Sequence, residues 1–458
     1  MTLIKSISGI RGTIGGREGN AFTPNDIVKF VAAFGFWLKE NDNTRRKVVI
    51  GRDARLSGEI VSKIVIGTLQ SMGLDVIDLG LSTTPTVEIA VPSENALGGI
   101  ILTASHNPKD WNALKLLNHQ GEFVSADEIQ TILEMADSGN YQYAEVSDLG
   151  SYTVNNDYFS YHIEAIKALS LVNAEAIKDK KFKVVVDAVN STGGIAVPIL
   201  LQILGVETVK LLNCEPDGRF AHNPEPLTEN LTELRELMLT GNYDLGIAVD
   251  PDVDRLVLMC ENGEPFNEEY TLVAVADYVL SHTKGNTVSN LSSTKALRDI
   301  TEAKGAQYFV SAVGEVNVVK MMKEVKAVIG GEGNGGVIYP ELHYGRDALV
   351  GIALLLSYLA TSSRTLSQLK ASYPQYSMFK HKVALSSDLS VETILEKIKL
   401  KYRNHTIITI DGIKIEINGN SWVHLRKSNT EPIMRIYSEA VTYARAKEIA
   451  LKMGSLLT

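Results

Sequence analysis

The sequence predicts an α/β protein: three similar mixed-sheet α/β domains, mainly parallel, then a C-terminal α+β domain, set around a central cleft. Three observations predict it. A strand, a helix-like stretch closing on glycine and a second strand recur at residues 47–79, 183–211 and 287–310, and alternating strands and helices are the pattern of parallel α/β sheets. Three apolar strands empty into polar loops, and ligands of open α/β sheets gather beyond the carboxyl ends of their strands. The final stretch, 374–458, instead reads as a helix, hairpins and a closing helix.

In chain order, the first repeat opens on Val48-Val49-Ile50, and its helix-like stretch ends at Met72-Gly73, glycine being favoured just past a helix end. A strand at 75–79 follows. Gly98-Gly99-Ile100-Ile101-Leu102 is another, and Asn107-Pro108 stops any regular element beyond it, because proline lacks an N–H and restricts its predecessor. This domain is placed at residues 1–150. The second, 151–256, begins with a helix at 158–171 and carries strands at 183–187, 207–211 and 243–249. The third, 257–373, has strands at 287–290, 307–310 and 326–329 and an apolar helix at 348–359. In the fourth, 374–458, a helix at 390–402 precedes strands at 405–410 and 413–417, joined by Asp411-Gly412, a two-residue hairpin signal. Strands at 421–425 and 433–437 and a helix at 444–457 complete it.

The 458 residues are 45% apolar and 22% charged, a globular composition in a chain longer than one core organises. A net charge of −9 argues against broad contact with a phosphate backbone, so no nucleic-acid partner is expected. A small phosphorylated ligand would instead need locally concentrated Arg and Lys. The amino terminus lacks a secretory apolar core and no stretch approaches a membrane span, so a cytoplasmic location with no membrane partner is expected. Cys214 and Cys260 are too few for a disulfide framework or a cysteine zinc site and read as free buried thiols.

Four loops carry candidate chemistry. Thr103-Ala104-Ser105-His106-Asn107-Pro108 holds a serine at the mouth of a buried strand, where a nucleophile would be placed; alone, the pattern equally fits a strand-end turn. Asp250-Pro251-Asp252-Val253-Asp254-Arg255 crowds three carboxylates between apolar flanks. Such charges repel unless a cation sits among them, and all-oxygen donors suit Mg2+. An EF-hand is disfavoured, since position six is Arg255 rather than glycine and the flanks read as strands. In 330–336, glycines space Glu332 and Asn334, side chains suited to sugar hydroxyls, and would let a ligand approach the backbone. Arg426-Lys427-Ser428-Asn429-Thr430, with Arg435 on the next strand, gathers donors suited to a phosphate monoester, although basic hairpin tips are common on surfaces. Two arginine-bearing loops, 8–13 and 51–58, add polar groups, and Arg52-Asp53 is a candidate ion pair between domains.

Together these four loops, spread in order over essentially the whole chain, resemble those of the α-D-phosphohexomutases: phosphoglucomutases, phosphomannomutases and phosphoglucosamine mutases. Residues 103–108 match the phosphoserine loop, 250–255 the metal loop, 331–336 the sugar loop and 426–432 the phosphate loop. The resemblance implies that Ser105 is a phosphoserine in the resting enzyme and that Asp250, Asp252 and Asp254 hold Mg2+ together with it. Ser105 would phosphorylate one end of a sugar phosphate, and the bisphosphorylated sugar would turn over in the cleft before returning its other phosphate. Arg11 and Lys115 fall where the family has its general acid/base groups. Arg255 would offset charge near the transferring group, and His106 would support Ser105. Glu332 and Asn334 would bind the sugar, while Arg426, Ser428, Asn429, Thr430 and Arg435 grip the non-reacting phosphate. Many members have Ser-Gly-His where this chain has Asn334-Gly335-Gly336, a variant that resembles phosphoglucosamine mutases of a bacterial and archaeal type. His343 is a candidate to fill the vacated histidine role.

The expectation is therefore a Mg2+-dependent mutase interconverting the 6- and 1-phosphates of a hexose or hexosamine, glucosamine first, mannose or glucose as alternatives. A phosphatase of sugar phosphates using the same serine would instead release free phosphate faster than isomer. A non-catalytic phosphosugar sensor would bind without turnover.

Overall fold

The computed structural model describes residues 2–384, 391–428 and 433–457. They divide into two units, Met1–Thr271 with Gly335–Ser367, and Leu272–Asn334 with Gln368–Thr458. The expected third domain, 257–373, thus contributes segments to both.

The first unit holds a sheet of seven strands, β1 (Ile4–Ser6), β2 (Gly9–Thr13), β3 (Lys47–Arg52), β4 (Asp75–Leu81), β5 (Gly98–Leu102), β6 (Trp111–Leu117) and β7 (Tyr152–Val154), in the order β1-β2-β6-β5-β3-β4-β7. β5, β3, β4 and β7 run parallel; β6 lies antiparallel to both β5 and β2, and β1 antiparallel to β2. Successive side chains of a strand point to opposite faces. Val48, Ile50, Ile100 and Leu102 accordingly pack with helices Pro24–Asn41, Gly58–Ser71 and Ala126–Ser138, while Val49 and Ile101 pack with helix Thr84–Ser93. Burial on both faces is why these strands read as unbroken apolar runs.

A second sheet, β8 (Lys183–Asp187), β9 (Thr208–Leu212), β10 (Leu245–Val249) and β11 (Leu256–Cys260), has the order β11-β10-β8-β9, with β11 antiparallel to β10 and the rest parallel. The acidic loop is thus the connection of a fully buried hairpin, β10 to β11. The expected domain limit at 150 leaves β7 outside its sheet, and the one at 256 falls inside β11. Cys260 is buried and Cys214 half-buried; among the described residues neither forms a disulfide, and burial pushes the Cys214 thiol up to about 12.

In the second unit, β12 (Asn286–Asn290), β13 (Tyr308–Ser311) and β14 (Ala327–Glu332) are parallel, with β12 central. The short strand β15 (Gly336–Ile338) belongs to the first unit. The last sheet, β16 (Ser377–Ala384), β17 (Thr406–Ile408), β18 (Ile413–Asn418), β19 (Ser421–Lys427) and β20 (Ile433–Ala440), is antiparallel throughout, in the order β16-β20-β19-β18-β17. Helices Val391–Lys401 and Tyr443–Gly454 cover one face of it. β16 was not among the expected strands, although Phe379, His381 and Val383 alternate with exposed Lys380 and Lys382 in the two-residue period of a strand. The expected loop at 8–13 is likewise mostly strand, β2. Among the described residues no helix is long and apolar enough to cross a membrane.

Candidate active site

Ser105 sits just past β5 in a left-handed backbone conformation, φ +48°, which costs a non-glycine residue roughly 1–3 kcal/mol unless its surroundings enforce it. The enforcing group is Arg55, only 1% exposed. Its guanidinium donates to the carbonyls of Asn107 (2.7 Å), Pro108 (2.6 Å), Trp111 (2.9 Å) and Ser105, and its Nε bonds Asp53 at 3.0 Å. Asp53 also accepts from Thr103 Oγ1 at 2.6 Å, and Thr103 Oγ1 accepts the Ser105 N–H at 2.9 Å. The sequence pattern suggested an Arg52–Asp53 pair between domains. The pair is instead Arg55–Asp53, and it bonds the serine loop of its own sheet; Arg52 bonds the Asp53 carbonyl.

The Ser105 hydroxyl donates to Asp250 Oδ2 at 2.8 Å and lies 3.3 Å from His106 Nδ1. Asp250, Asp252 and Asp254 are fully buried, with ligand oxygens within 4.8 Å of one another. The loop achieves this by turning at Val253, whose φ of +62° is strained for a β-branched residue. The side chain of Val253 is itself completely buried, and its carbonyl accepts from Ala348 N at 3.2 Å. Asp250 Oδ1 accepts the backbone N–H groups of Asp254 (3.2 Å) and Arg255 (3.1 Å). Burial and the charges of Asp254 and Asp252 push Asp250 far above the usual carboxylate range. Asp252 Oδ1 and Asp254 Oδ1 are buried with no hydrogen-bond partner. Oxygens left unsatisfied beside mutually repelling carboxylates are what a bound divalent cation would relieve, so the donor set fits Mg2+.

Cations surround the loop. β2 and β6 pair Arg11 with Ala113, which sets Arg11 and Lys115 on one face of the sheet. Lys115 Nζ donates to Asp252 Oδ2 at 2.6 Å and reaches Asp254 Oδ2 at 3.4 Å. Burial alone would lower the Lys115 ammonium, but these two carboxylates outweigh it and raise it. Arg11 bonds the Ser8 carbonyl at 2.8 Å, and burial together with Arg255 lowers its guanidinium. Burial, then Arg255 and Arg11, hold the His106 imidazole well below its usual range. Arg255 lies 3.6 Å from Glu225 and 3.9 Å from Asp254. Two neighbours escaped the sequence analysis: Arg346, donating to Asp254 Oδ2 at 2.7 Å, and Thr84, whose hydroxyl and N–H bond Asp252. No local pattern marks either.

In the second unit, Glu332 Oε1 accepts from Asn290 Nδ2 at 2.7 Å and Gly314 N at 3.1 Å, and the next N–H, Gly333, donates to Ser293 at 2.9 Å. Asn334 ends the same loop. Gly335, on the first unit, owes its glycine to the fold: at φ +89° an added Cβ would stand 2.5 Å from the Leu256 carbonyl. Arg426 and Arg435 are directly opposed across β19 and β20, and Lys382 opposes Arg435 across β16. Like charges in direct register destabilise a sheet, and an anion would offset them. Arg426 also lies 3.3 Å from Asp411, and Ser428 N donates to the Ile433 carbonyl at 3.0 Å. Lys382, in the unexpected strand, was missed with it. Asn429 and Thr430 lie outside the described residues. His343 contacts Asp347 and Glu88 within the first unit.

The chain belongs to the phosphoglucomutase/phosphomannomutase family, the α-D-phosphohexomutases. Models of the family's three alpha/beta/alpha domains match residues 3–142, 160–263 and 267–376, and its C-terminal domain matches 382–454. It is an enzyme of the isomerase class that moves a phosphoryl group within one molecule. A phosphoglucomutase/phosphomannomutase of Thermococcus kodakarensis is 38% identical over 97% of both chains. A probable phosphoglucosamine mutase of Pyrococcus horikoshii is 34% identical, again over 97% of each. The crystal structure of a phosphoglucomutase/phosphomannomutase family protein from Burkholderia thailandensis is 26% identical, covers 99% of this chain and 97% of its own, and superposes with a TM-score of 0.84.

Proposed function

We propose that the protein interconverts glucosamine 6-phosphate and glucosamine 1-phosphate through a phosphoserine at Ser105 and a bisphosphorylated sugar. The observation that carries this is the Ser105 hydroxyl 2.8 Å from a buried carboxylate triplet, on a loop that Arg55 bonds at four carbonyls. Phosphoryl transfer depends on position and charge neutralisation more than on a strong nucleophile. A Mg2+ ion held by Asp250, Asp252, Asp254 and the Ser105 phosphate would supply that neutralisation at the transferring group.

The chain's own side chains do the rest. As the bond between phosphorus and Ser105 Oγ breaks, a sugar hydroxyl oxygen bonds the phosphorus and gives up its proton, while Ser105 Oγ takes up one. Arg11 and Lys115 are the groups proposed to carry protons at this step, and Lys115 also balances Asp252 and Asp254. Arg255 offsets phosphoryl charge, and His106 supports the Ser105 hydroxyl. Glu332 and Asn334 recognise sugar hydroxyls. Arg426, Ser428 and Arg435, joined by Asn429 and Thr430, bind the phosphate that is not being transferred, with Lys382 alongside. In the return step the other phosphate of the bisphosphorylated sugar passes to Ser105 Oγ, which restores the phosphoserine.

The Glu332–Asn334 loop and the relatives named probable phosphoglucosamine mutase support glucosamine. A second reading, glucose or mannose phosphate, is supported by the 38% identical relative from Thermococcus kodakarensis. Comparing kcat/KM for the 1- and 6-phosphates of glucosamine, glucose and mannose decides between them. Preference for either neutral hexose would sink the glucosamine assignment. Phosphate release outpacing isomer formation with all three would replace the mutase by a phosphatase.

A further inference from the structure

We propose that His162, His343 and Asp347 form a second metal site, a two-histidine, one-carboxylate centre that binds Zn2+, separate from the acidic loop. His162 lies on helix Tyr158–Lys167, far in sequence from His343 and Asp347, yet the ligand atoms of all three lie within 4.8 Å of one another. Asp347 Oδ2 is 2.9 Å from His162 Nε2 and 3.3 Å from His343 Nε2. Two donors about 2.0–2.1 Å from a tetrahedral Zn2+ stand about 3.3–3.4 Å apart, a spacing that the His343–Asp347 contact has and the His162–Asp347 contact falls short of. The other Asp347 oxygen caps helix Ala348–Thr361, accepting from Leu349 N (2.8 Å) and Val350 N (3.3 Å), which aims Oδ2 at the two rings.

The outer nitrogens of both rings lie near oxygens able to accept an N–H, which metal-bound imidazoles require. His162 Nδ1 is 2.9 Å from the Thr86 hydroxyl, which in turn meets Thr83 Oγ1 at 2.6 Å. His343 Nδ1 is 3.4 Å from Glu88 Oε2. Both nitrogens of His343 therefore face carboxylate oxygens, which when ionised only accept. A cation bound among the three would leave each ring nitrogen one partner. Nδ1–H then donates to Glu88 and the Nε2 lone pair goes to the ion. Glu88 and Asp347, 1% and 0% exposed, place two buried carboxyl groups around the rings, a setting that suits a divalent ion. Imidazole nitrogens with carboxylate oxygen favour Zn2+ over Mg2+. The His343 side chain is 12% exposed, leaving an approach for the ion and for a water as fourth ligand. The centre would brace residues 346–348, where Arg346 bonds Asp254 and Ala348 N bonds the Val253 carbonyl. It stands whether or not the proposed sugar phosphate is right.

Metal-free full-length protein is titrated with Co2+ and, separately, with Zn2+, each in excess Mg2+ to occupy the acidic loop. The wild type is expected to show the visible bands of four-coordinate Co2+ and to retain one more Zn2+ per chain than His343→Ala, in which the acidic loop is unaltered. Glu88→Gln should weaken Zn2+ binding roughly 10–100-fold, as loss of a partner to a ligating histidine does. Equal Zn2+ content and equal Co2+ spectra in wild type and His343→Ala would overturn the site and leave a metal-free histidine–carboxylate network. His343→Gln, closer in size, repeats the comparison should the alanine variant fold poorly, with the same two readings.

Discussion

The Ser105 hydroxyl donates to Asp250 Oδ2 at 2.8 Å, a contact that spans 145 residues of sequence. It joins the end of a strand in the first sheet to the hairpin loop of the second, and so puts the proposed nucleophile beside the carboxylates proposed to hold Mg2+. Replacing Ser105 by alanine should remove the 80-dalton-scale mass increment of a phosphoserine (about one HPO3 group) and lower kcat on the order of 10^3-fold or more, as losing a nucleophile does. Intact-mass analysis with a coupled mutase assay checks both. A phosphate that persists in Ser105→Ala would place the modification elsewhere.

Arg55 should act as a positioning residue for the serine loop. Removing one partner of a buried ion pair costs about 3–5 kcal/mol, so Arg55→Leu is expected to lower the urea stability by that order. Arg55→Lys keeps the charge but loses the fork that reaches several carbonyls at once. It should lower kcat well beyond any change in KM. A kcat equal to wild type in a folded Arg55→Lys protein would show that the loop needs no clamp.

The opposed pair Arg426–Arg435 should bind phosphate. A charge-assisted hydrogen bond contributes roughly 1.5–3 kcal/mol, so Arg435→Gln should reduce kcat/KM by roughly 10–150-fold. Because the pair repels itself when empty, the same substitution is expected to leave the unliganded stability unchanged or slightly higher. Initial rates and denaturant midpoints measured on one preparation test the two halves together.

His222 should make the second sheet sensitive to pH. Its Nε2 lies 3.1 Å from both oxygens of Asp187. Burial alone would lower the imidazole, but the bond to Asp187 and its charge outweigh it and raise it. A raised folded-state value means that the proton favours the folded chain. This stabilisation is complete below the unfolded value near about 6.5 and is lost as pH rises through the higher folded value. The stability difference between wild type and His222→Gln should therefore be largest in mild acid and shrink with rising pH. Urea midpoints across that window would refute this if the difference grew toward alkaline pH.

Much of the candidate site was legible because its groups are contiguous in sequence. The serine turn, the alternating aspartates and the glycine-spaced glutamate each sit on one short loop after an apolar strand, where period and punctuation can be read. The loop of Arg55 was marked in sequence but not its role, which depends on contacts with a distant loop; Thr84 and Arg346 were not legible, since each reaches the site from an element whose own pattern says nothing about it. Lys382 was hidden for a different reason. β16 is a half-buried edge strand, and its weak alternation was passed over beside the stronger hairpin signal at Asp411-Gly412.

What the sequence by itself determined is the repeated strand–helix–strand order, the small antiparallel last domain and the loops that bear chemistry, because hydrophobic period and turn chemistry act over a few residues. Only the tertiary structure decided which side chains meet: Arg55 with the serine loop, Lys115 and Arg346 with the aspartates, and two histidines 181 residues apart, at 162 and 343, with one carboxylate. Those contacts depend on strand order and register, and a shift of one residue would turn Arg11 and Lys115 to the opposite face of their sheet.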